Sequence, residues 1–254
     1  MSERISAVVT GAAKGIGLAI AETLAERGAH VIAVDVDAEG LDSIAREGIE
    51  PLVGDIAEWS THERAATAAE RVAPLRWWVN NAGVDWVGAA HEVDAEHIER
   101  GMAILLNGPL FGCAVAVRRM LPSGTGSIVN ISSIQGIAAF PRYLVYDAAK
   151  AGVAMASKQV ALDYGRHGIR CNAVLPGAIE TPMTYATLPQ DVPRDEALRQ
   201  EGLLAPMERV GQPAEIAEAV AYLLSEQASY VNGATLVVDG GASARCYAYP
   251  ALEL

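Results

Sequence analysis

Short β-branched or apolar runs alternate with helix-like segments along nearly the whole chain, and this alternation limits the fold more than any other feature. The strand-like runs are residues 5–10, 30–35, 50–53, 77–80, 126–131, 169–175 and 235–238. Helical periodicity lies between them at residues 16–27, 41–46, 59–72, 95–120, 143–165 and 214–225. Repeated strand–helix alternation predicts a parallel sheet, because each crossover lays a helix on one of its faces. Runs that are apolar throughout, rather than at every second residue, fit strands covered on both sides. The chain therefore reads as α/β: a doubly wound parallel sheet of about seven strands with helices on both faces. No linker or repeat interrupts the pattern, so residues 1–254 are expected to form one domain. Gly108-Pro109 inside the long segment 95–120 predicts a bent or two-part helix. Residues 178–212 are polar and proline-containing, and read as an irregular substrate lid.

Hydrophobic residues make up 51% of the chain and charged residues 20%, enough apolar surface for a large core. The net charge of −12 disfavours nucleic acid and anionic membranes as partners. It also disfavours an acidic carrier protein, unless a local patch such as Arg118-Arg119 compensates. Cys113, Cys171 and Cys246 match no metal-ligand spacing, and none of the five histidines has a ligand partner, so no metal site is expected. Reduced thiols, no leader-like N-terminus and no long uninterrupted apolar run point to a cytoplasmic protein.

Thr10-Gly11-Ala12-Ala13-Lys14-Gly15-Ile16-Gly17 joins the first strand to the first helix. Glycines there permit a tight turn and a close approach of a pyrophosphate to the helix N-terminus. Asp35 ends the next strand, where a carboxylate can bind adenosine hydroxyls. Tyr146 and Lys150 are four residues apart in a predicted helix, and so share a face. An ammonium near a phenol is expected to lower the tyrosine pKa from its usual value of about 10. Such a tyrosine exchanges protons with an alcohol or carbonyl, and a nearby serine hydroxyl could hold the same oxygen. Tyr143 is a weaker candidate, because its partner one turn on is Asp147.

Taken in order, residues 10–17, Asp55, the run Asn80-Asn81-Ala82-Gly83, Asn107, Ser133, Tyr146, Lys150, Pro176-Gly177 and Thr181 resemble the motifs of the short-chain dehydrogenase/reductase family. The resemblance covers nearly the whole chain and implies a Rossmann-like fold and a nicotinamide dinucleotide cofactor. It implies that Gly11, Lys14, Gly15, Ile16 and Gly17 meet the pyrophosphate region. Asp55 and the Ile56 backbone would contact adenine, and Asn81 and Gly83 would border the adenosine ribose. Pro176, Gly177, Thr181 and the Ile179 backbone would hold the nicotinamide end. Tyr146 is implied as general acid–base and Lys150 as its modulator and ribose ligand. Ser133, thirteen residues before the tyrosine, would bind the substrate oxygen. Asn107 would hold water in a proton relay.

Asp35 would repel a 2′-phosphate, and Val36 follows it where NADP users of the family often carry arginine. Lys14 argues the other way, but Asp35 weighs more, so NAD(H) is expected over NADP(H). The expected pocket walls are residues 85–87, Gln135, residues 140–143, residues 180–186, the lid and the tail. Gln135 could bond a second substrate hydroxyl, which favours a sugar, polyol or hydroxy acid. The alternatives are a more hydrophobic ketone or 3-oxoacyl thioester, and, outside enzymes, a silent dinucleotide-binding regulator. The resemblance also implies a homotetramer, consistent with the nearly uncharged stretch 148–161; the aromatic tail 247–250 reads either as crossing to a neighbouring subunit or as a disordered or locally packed terminus.

Overall fold

A computed structural model of the chain describes residues 4–189 and 191–244. Seven parallel strands form one sheet in the order β3-β2-β1-β4-β5-β6-β7. They are β1 (Ser6–Thr10), β2 (His30–Asp35), β3 (Ile49–Val53), β4 (Leu75–Asn80), β5 (Gly126–Ile131), β6 (Ile169–Pro176) and β7 (Thr235–Val238).

Side chains leave a strand alternately on its two faces, so a strand buried on both must be apolar at every position. In β1, Ala7 and Val9 join one core layer and Val8 the other. The first layer packs the sheet against α1 (Gly15–Glu26), α2 (Ala38–Ile44) and α9 (Pro213–Leu224), through Ile20, Leu24, Leu41, Ile216 and Leu223. The second packs it against α3 (Trp59–Val72), α5 (Gly108–Met120) and α6 (Leu144–Tyr164), through Ala65, Ala69, Val115, Met120 and Ala161. Alanines on α3 let that helix lie close to the strands, and Trp78 fills the space beside it without exposure. Its indole N–H donates to Asn80 Oδ1 at 2.8 Å, and Asn80 Nδ2 donates to Asn130 Oδ1 at 2.7 Å. Asn80 is therefore a tie between neighbouring strands.

The long apolar segment divides into α4 (Ala95–Met102), a widened π turn (Ala103–Asn107) and α5. Pro109 sits in the first turn of α5, where its missing N–H costs no helical hydrogen bond. By length and composition the stretch Ala95–Ser123 could cross a bilayer, but half of its most apolar window is buried within the protein, as in a core helix. The segment expected to be irregular contains α7 (Pro182–Thr187) and α8 (Arg194–Gly202). Thr181 caps α7 by accepting from Thr184 N at 3.3 Å, and Pro182 opens it. The aromatic tail lies outside the described residues.

Candidate active site

The C-terminal strand ends open into a cleft of about 1200 Å³ lined from both sides of the β1–β4 junction, where strand order reverses. The chain leaves β1 through Gly11, which has φ +67°, and a Cβ there would stand 2.7 Å from Ala82 Cα. A Cβ on Gly17 would overlap the Gly11 carbonyl oxygen. Without those side chains the start of α1 is open to the cleft. It is also uncapped: the extended Lys14 supplies no side-chain acceptor, and the first turn holds no acid. Free N–H groups at a helix start beside a cleft suit a pyrophosphate.

Asn81 Nδ2 donates to the carbonyls of Thr10 and Gly11 at 2.9 and 3.2 Å, which ties the turn after β4 to the turn after β1. Asp35 is held from both sides, accepting from Ala13 N at 3.0 Å and Asp37 N at 3.1 Å. Lys14 Nζ lies 3.6 Å from the Asp37 carboxylate. Asp55 accepts from Ala57 N at 2.9 Å. The Ile56 carbonyl is bonded by the buried His62 ring at 2.8 Å, a support that no sequence motif announces. Burial pulls the His62 pKa down, so its neutral ring donates this bond. Gly15, Ile16, Gly83, Pro176, Gly177, Ile179 and Thr181 line the same cleft.

Tyr146 and Lys150 lie one turn apart on α6, facing the loop after β5. Ser133 lies close enough to Tyr146 to oppose the burial-driven rise of its pKa, and its hydroxyl accepts from Gln135 N at 3.1 Å. Ser132 has a different use: its hydroxyl donates to the Lys150 carbonyl at 2.7 Å. Lys150 is only 4% exposed, and its Nζ donates to the Ile131 carbonyl at 3.0 Å. The same Nζ stands 5.5 Å from the centre of the Tyr146 ring. A phenol and a hydroxyl side by side at a cleft wall can jointly hold, protonate or deprotonate one oxygen.

The electrostatics correct one expectation. The Tyr146 pKa is not lowered; burial pushes it up to about 12, with Asp85, Tyr143 and Asp147 adding to the rise and Ser133 opposing it. Burial also pulls Lys150 down to about 8. The physical reason is placement: the ammonium reaches the face of the ring and bonds Ile131, while the phenol is desolvated among acidic neighbours.

Asn107 is not brought to this cleft. It is exposed at the end of the π turn and does not line the cavity. Leu105, two residues earlier, is fully buried on the opposite side of the helix. A Cβ on Gly83 would stand 3.7 Å from both Leu105 Cδ2 and Lys150 Nζ, so Leu105 occupies the space beside the lysine.

Of the expected pocket walls, Asp85, Gln135, Phe140, Tyr143, Met183 and Thr184 line the cleft. Trp86, Arg142 and Glu180 do not. The Trp86 indole donates to the His97 carbonyl at 3.1 Å, Arg142 pairs with Glu92 at 3.0 Å, and Glu180 accepts from Tyr185 and Gln212. Tyr143 proves to be a neighbour of Tyr146, with ring centres 5.8 Å apart edge to face, and burial together with the nearby Asp85 raises its pKa. Glu201, Leu204 and Met207 reach the cleft from the lid, and no motif marks them.

A family model described as enoyl-(acyl carrier protein) reductase matches residues 11–243. The chain belongs to the short-chain dehydrogenase/reductase family. A 2-(R)-hydroxypropyl-CoM dehydrogenase from Xanthobacter autotrophicus is 39% identical, over 94% of this chain and 98% of its own. A cis-4-hydroxycyclohexanecarboxylate dehydrogenase from Sinomonas cyclohexanicum is 43% identical, over 96% and 98%. The solved structure of an actinorhodin polyketide ketoreductase with NADPH has a TM-score of 0.88 and 34% identity, covering 94% and 97%. The short-chain dehydrogenase/reductase family binds a nicotinamide dinucleotide, and the curated relatives named above are dehydrogenases acting on CH–OH groups.

Proposed function

We propose that this protein is an NAD-dependent oxidoreductase that interconverts a secondary alcohol and a ketone, or a sugar hydroxyl and a lactone. The observation that carries this reading is the convergence of Ser133, Tyr146 and Lys150 on one wall of the cleft that the glycine turn opens. The bound dinucleotide supplies or takes the hydride. Gly11, Gly15, Ile16 and Gly17 would hold its pyrophosphate, Asp35 its adenosine ribose, and Asp55 and Ile56 its adenine. Asn81 and Gly83 would border the ribose; Pro176, Gly177, Ile179 and Thr181 would hold the nicotinamide end.

Tyr146 is the proton carrier. In reduction its hydroxyl protonates the carbonyl oxygen, and in oxidation the phenolate takes the alcohol proton. Ser133 donates to the same oxygen and stabilises the charge developing there. Lys150 supplies positive charge that favours the phenolate when the proton leaves.

Three features support NAD(H) over NADP(H). Asp35 and Asp37 put two carboxylates at the end of β2. Lys14 is paired with Asp37, and the residue after Asp35 is the exposed Val36. The ketoreductase relative carries NADPH, so the preference rests on residues of this chain.

Gln135, Asp85 and Tyr143 support a small polar substrate such as a sugar, polyol or hydroxy acid. The apolar groups Phe140, Met183, Leu204 and Met207 favour a second reading, a more hydrophobic ketone. Exposed Leu110, Met155 and Leu162 on α5 and α6 support assembly as a homotetramer through those helices. Buried free thiols at Cys113 and Cys171 suit a reducing, cytoplasmic setting.

The test is a panel of sugars, polyols, hydroxy acids, cyclic alcohols and their ketones, assayed with NAD and with NADP. Turnover of at least one secondary alcohol or ketone, faster with NAD, is expected. Dinucleotide binding without turnover on any member would contradict the reading.

A further inference from the structure

Among the described residues three cations line the cleft: Lys14, Lys150 and Arg209. Each is engaged. Lys14 faces Asp37 at the cofactor end. Lys150 donates to the Ile131 carbonyl. Arg209 is forked onto both oxygens of Glu215, at 2.8 and 2.7 Å. The carboxylates of Asp85 and Glu201 are different. Both line the cleft around the Tyr143–Tyr146 pair, and neither has an ion-pair partner among the described residues. Asp85 lies near Tyr143, whose pKa is raised by burial and by the Asp85 charge, and Tyr143 packs edge to face on Tyr146. Glu201 is half-buried on α8, and burial alone raises its pKa.

A second observation concerns hydrogen-bonding capacity. Gln135 lines the same space, and its Oε1 is buried without any donor. A buried acceptor with no partner is costly, and a ligand that brings an O–H or N–H removes the cost. A carboxylate or sulfonate would meet two negative charges in a partly desolvated cleft.

We propose that Asp85 and Glu201 act as a charge filter at the substrate end of the cleft, so that it takes uncharged polyols and ammonium-bearing alcohols and rejects alcohols that carry an anionic group. This rests on the reading of Tyr146 given above and narrows it: the hydroxy acids drop out. Family membership does not make this choice, since one relative is named for a carboxylate substrate and another for a polyol. Asp85 and Glu201 are specificity-determining residues here, and neither takes part in proton transfer.

Matched substrates test the filter. Propylene glycol, isopropanolamine and lactate share one carbon frame; sorbitol, glucamine and gluconate share another. For each set, kcat/KM with NAD is measured on the full chain, together with calorimetric binding to the protein–NADH complex. The expected result is that the hydroxyl and ammonium members exceed the carboxylate by at least about tenfold in one frame or both, from carboxylate–carboxylate repulsion. Asp85→Asn or Glu201→Gln should narrow that gap. The proposal is overturned if the carboxylate binds as well as the others, if neither variant narrows the gap, or if no uncharged or ammonium member binds in either frame. Binding reports on the filter even without hydride transfer. Absence of turnover on the broad panel would sink the enzyme reading alone.

Discussion

Lys150 Nζ lies 5.5 Å from the centre of the Tyr146 ring and donates to the Ile131 carbonyl, not to the phenol. Both groups are buried, and burial disfavours the charged form of each: the phenol pKa is pushed up to about 12, and the amine is pulled down to about 8, which leaves it charged at neutral pH. Without ligand, Tyr146 is thus set to give a proton. Titrating tyrosinate absorbance in the ligand-free protein, wild type minus Tyr146→Phe, should isolate one tyrosine with a midpoint near 12. A midpoint below the ordinary tyrosine value of about 10 would contradict this.

Lys150 also links stability to pH. Its folded pKa of about 8 lies below the unfolded value of about 10.4, so the unfolded chain holds more protons between them. Stability contributed at this site is therefore lowest below pH 8 and recovers as pH rises towards about 10.4. The full swing is about 3 kcal/mol. Urea denaturation should show wild type gaining on Lys150→Met by roughly that amount between pH 7 and about 10.4, whatever packing cost the methionine carries. Parallel pH profiles for the two proteins would refute the buried, depressed lysine.

Asp35 offers a test of cofactor choice. Asparagine keeps a hydrogen-bond acceptor for the glycine turn and removes the charge. Asp35→Asn should raise the NADP/NAD ratio of kcat/KM by about tenfold, as expected when a charge next to a phosphate is neutralised. A wild-type ratio already above one would overturn the preference for NAD.

Asn107 carries a contrary expectation. Exposed and away from the cleft, it should tolerate alanine with kcat/KM within about threefold of wild type. A loss of about a hundredfold would restore it to the proton path.

The sheet was legible in the sequence because strands covered on both faces leave unbroken apolar runs, and all seven fall within a few residues of where they were read. The glycine turn and Asp35 were legible because close backbone approach and a charge at a strand end leave few residue choices. The lid helices were not, since α7 and α8 are short and polar; the Thr181–Pro182 cap was their one signal. The placement of Asn107 was not legible, since it ends a π turn that leaves it exposed while Leu105 is buried, and spacing alone does not show such a turn. The direction of the Tyr146 pKa was hidden for a related reason: helical spacing puts two side chains on one face but does not say which atoms meet. Tyr143 was legible as a pocket wall but not as the ring packed on Tyr146, and Glu201 only as part of the lid, because those placements come from tertiary neighbours.

The central claim is that the Tyr146 hydroxyl carries the proton of a nicotinamide-linked alcohol oxidation. The most direct measurement compares kcat/KM on the best alcohol with the dissociation constant for NADH, in wild type and Tyr146→Phe. The account predicts that the variant loses at least about a hundredfold in kcat/KM while NADH binds within about threefold of wild type. Turnover retained in Tyr146→Phe, with the cofactor still bound, would contradict it.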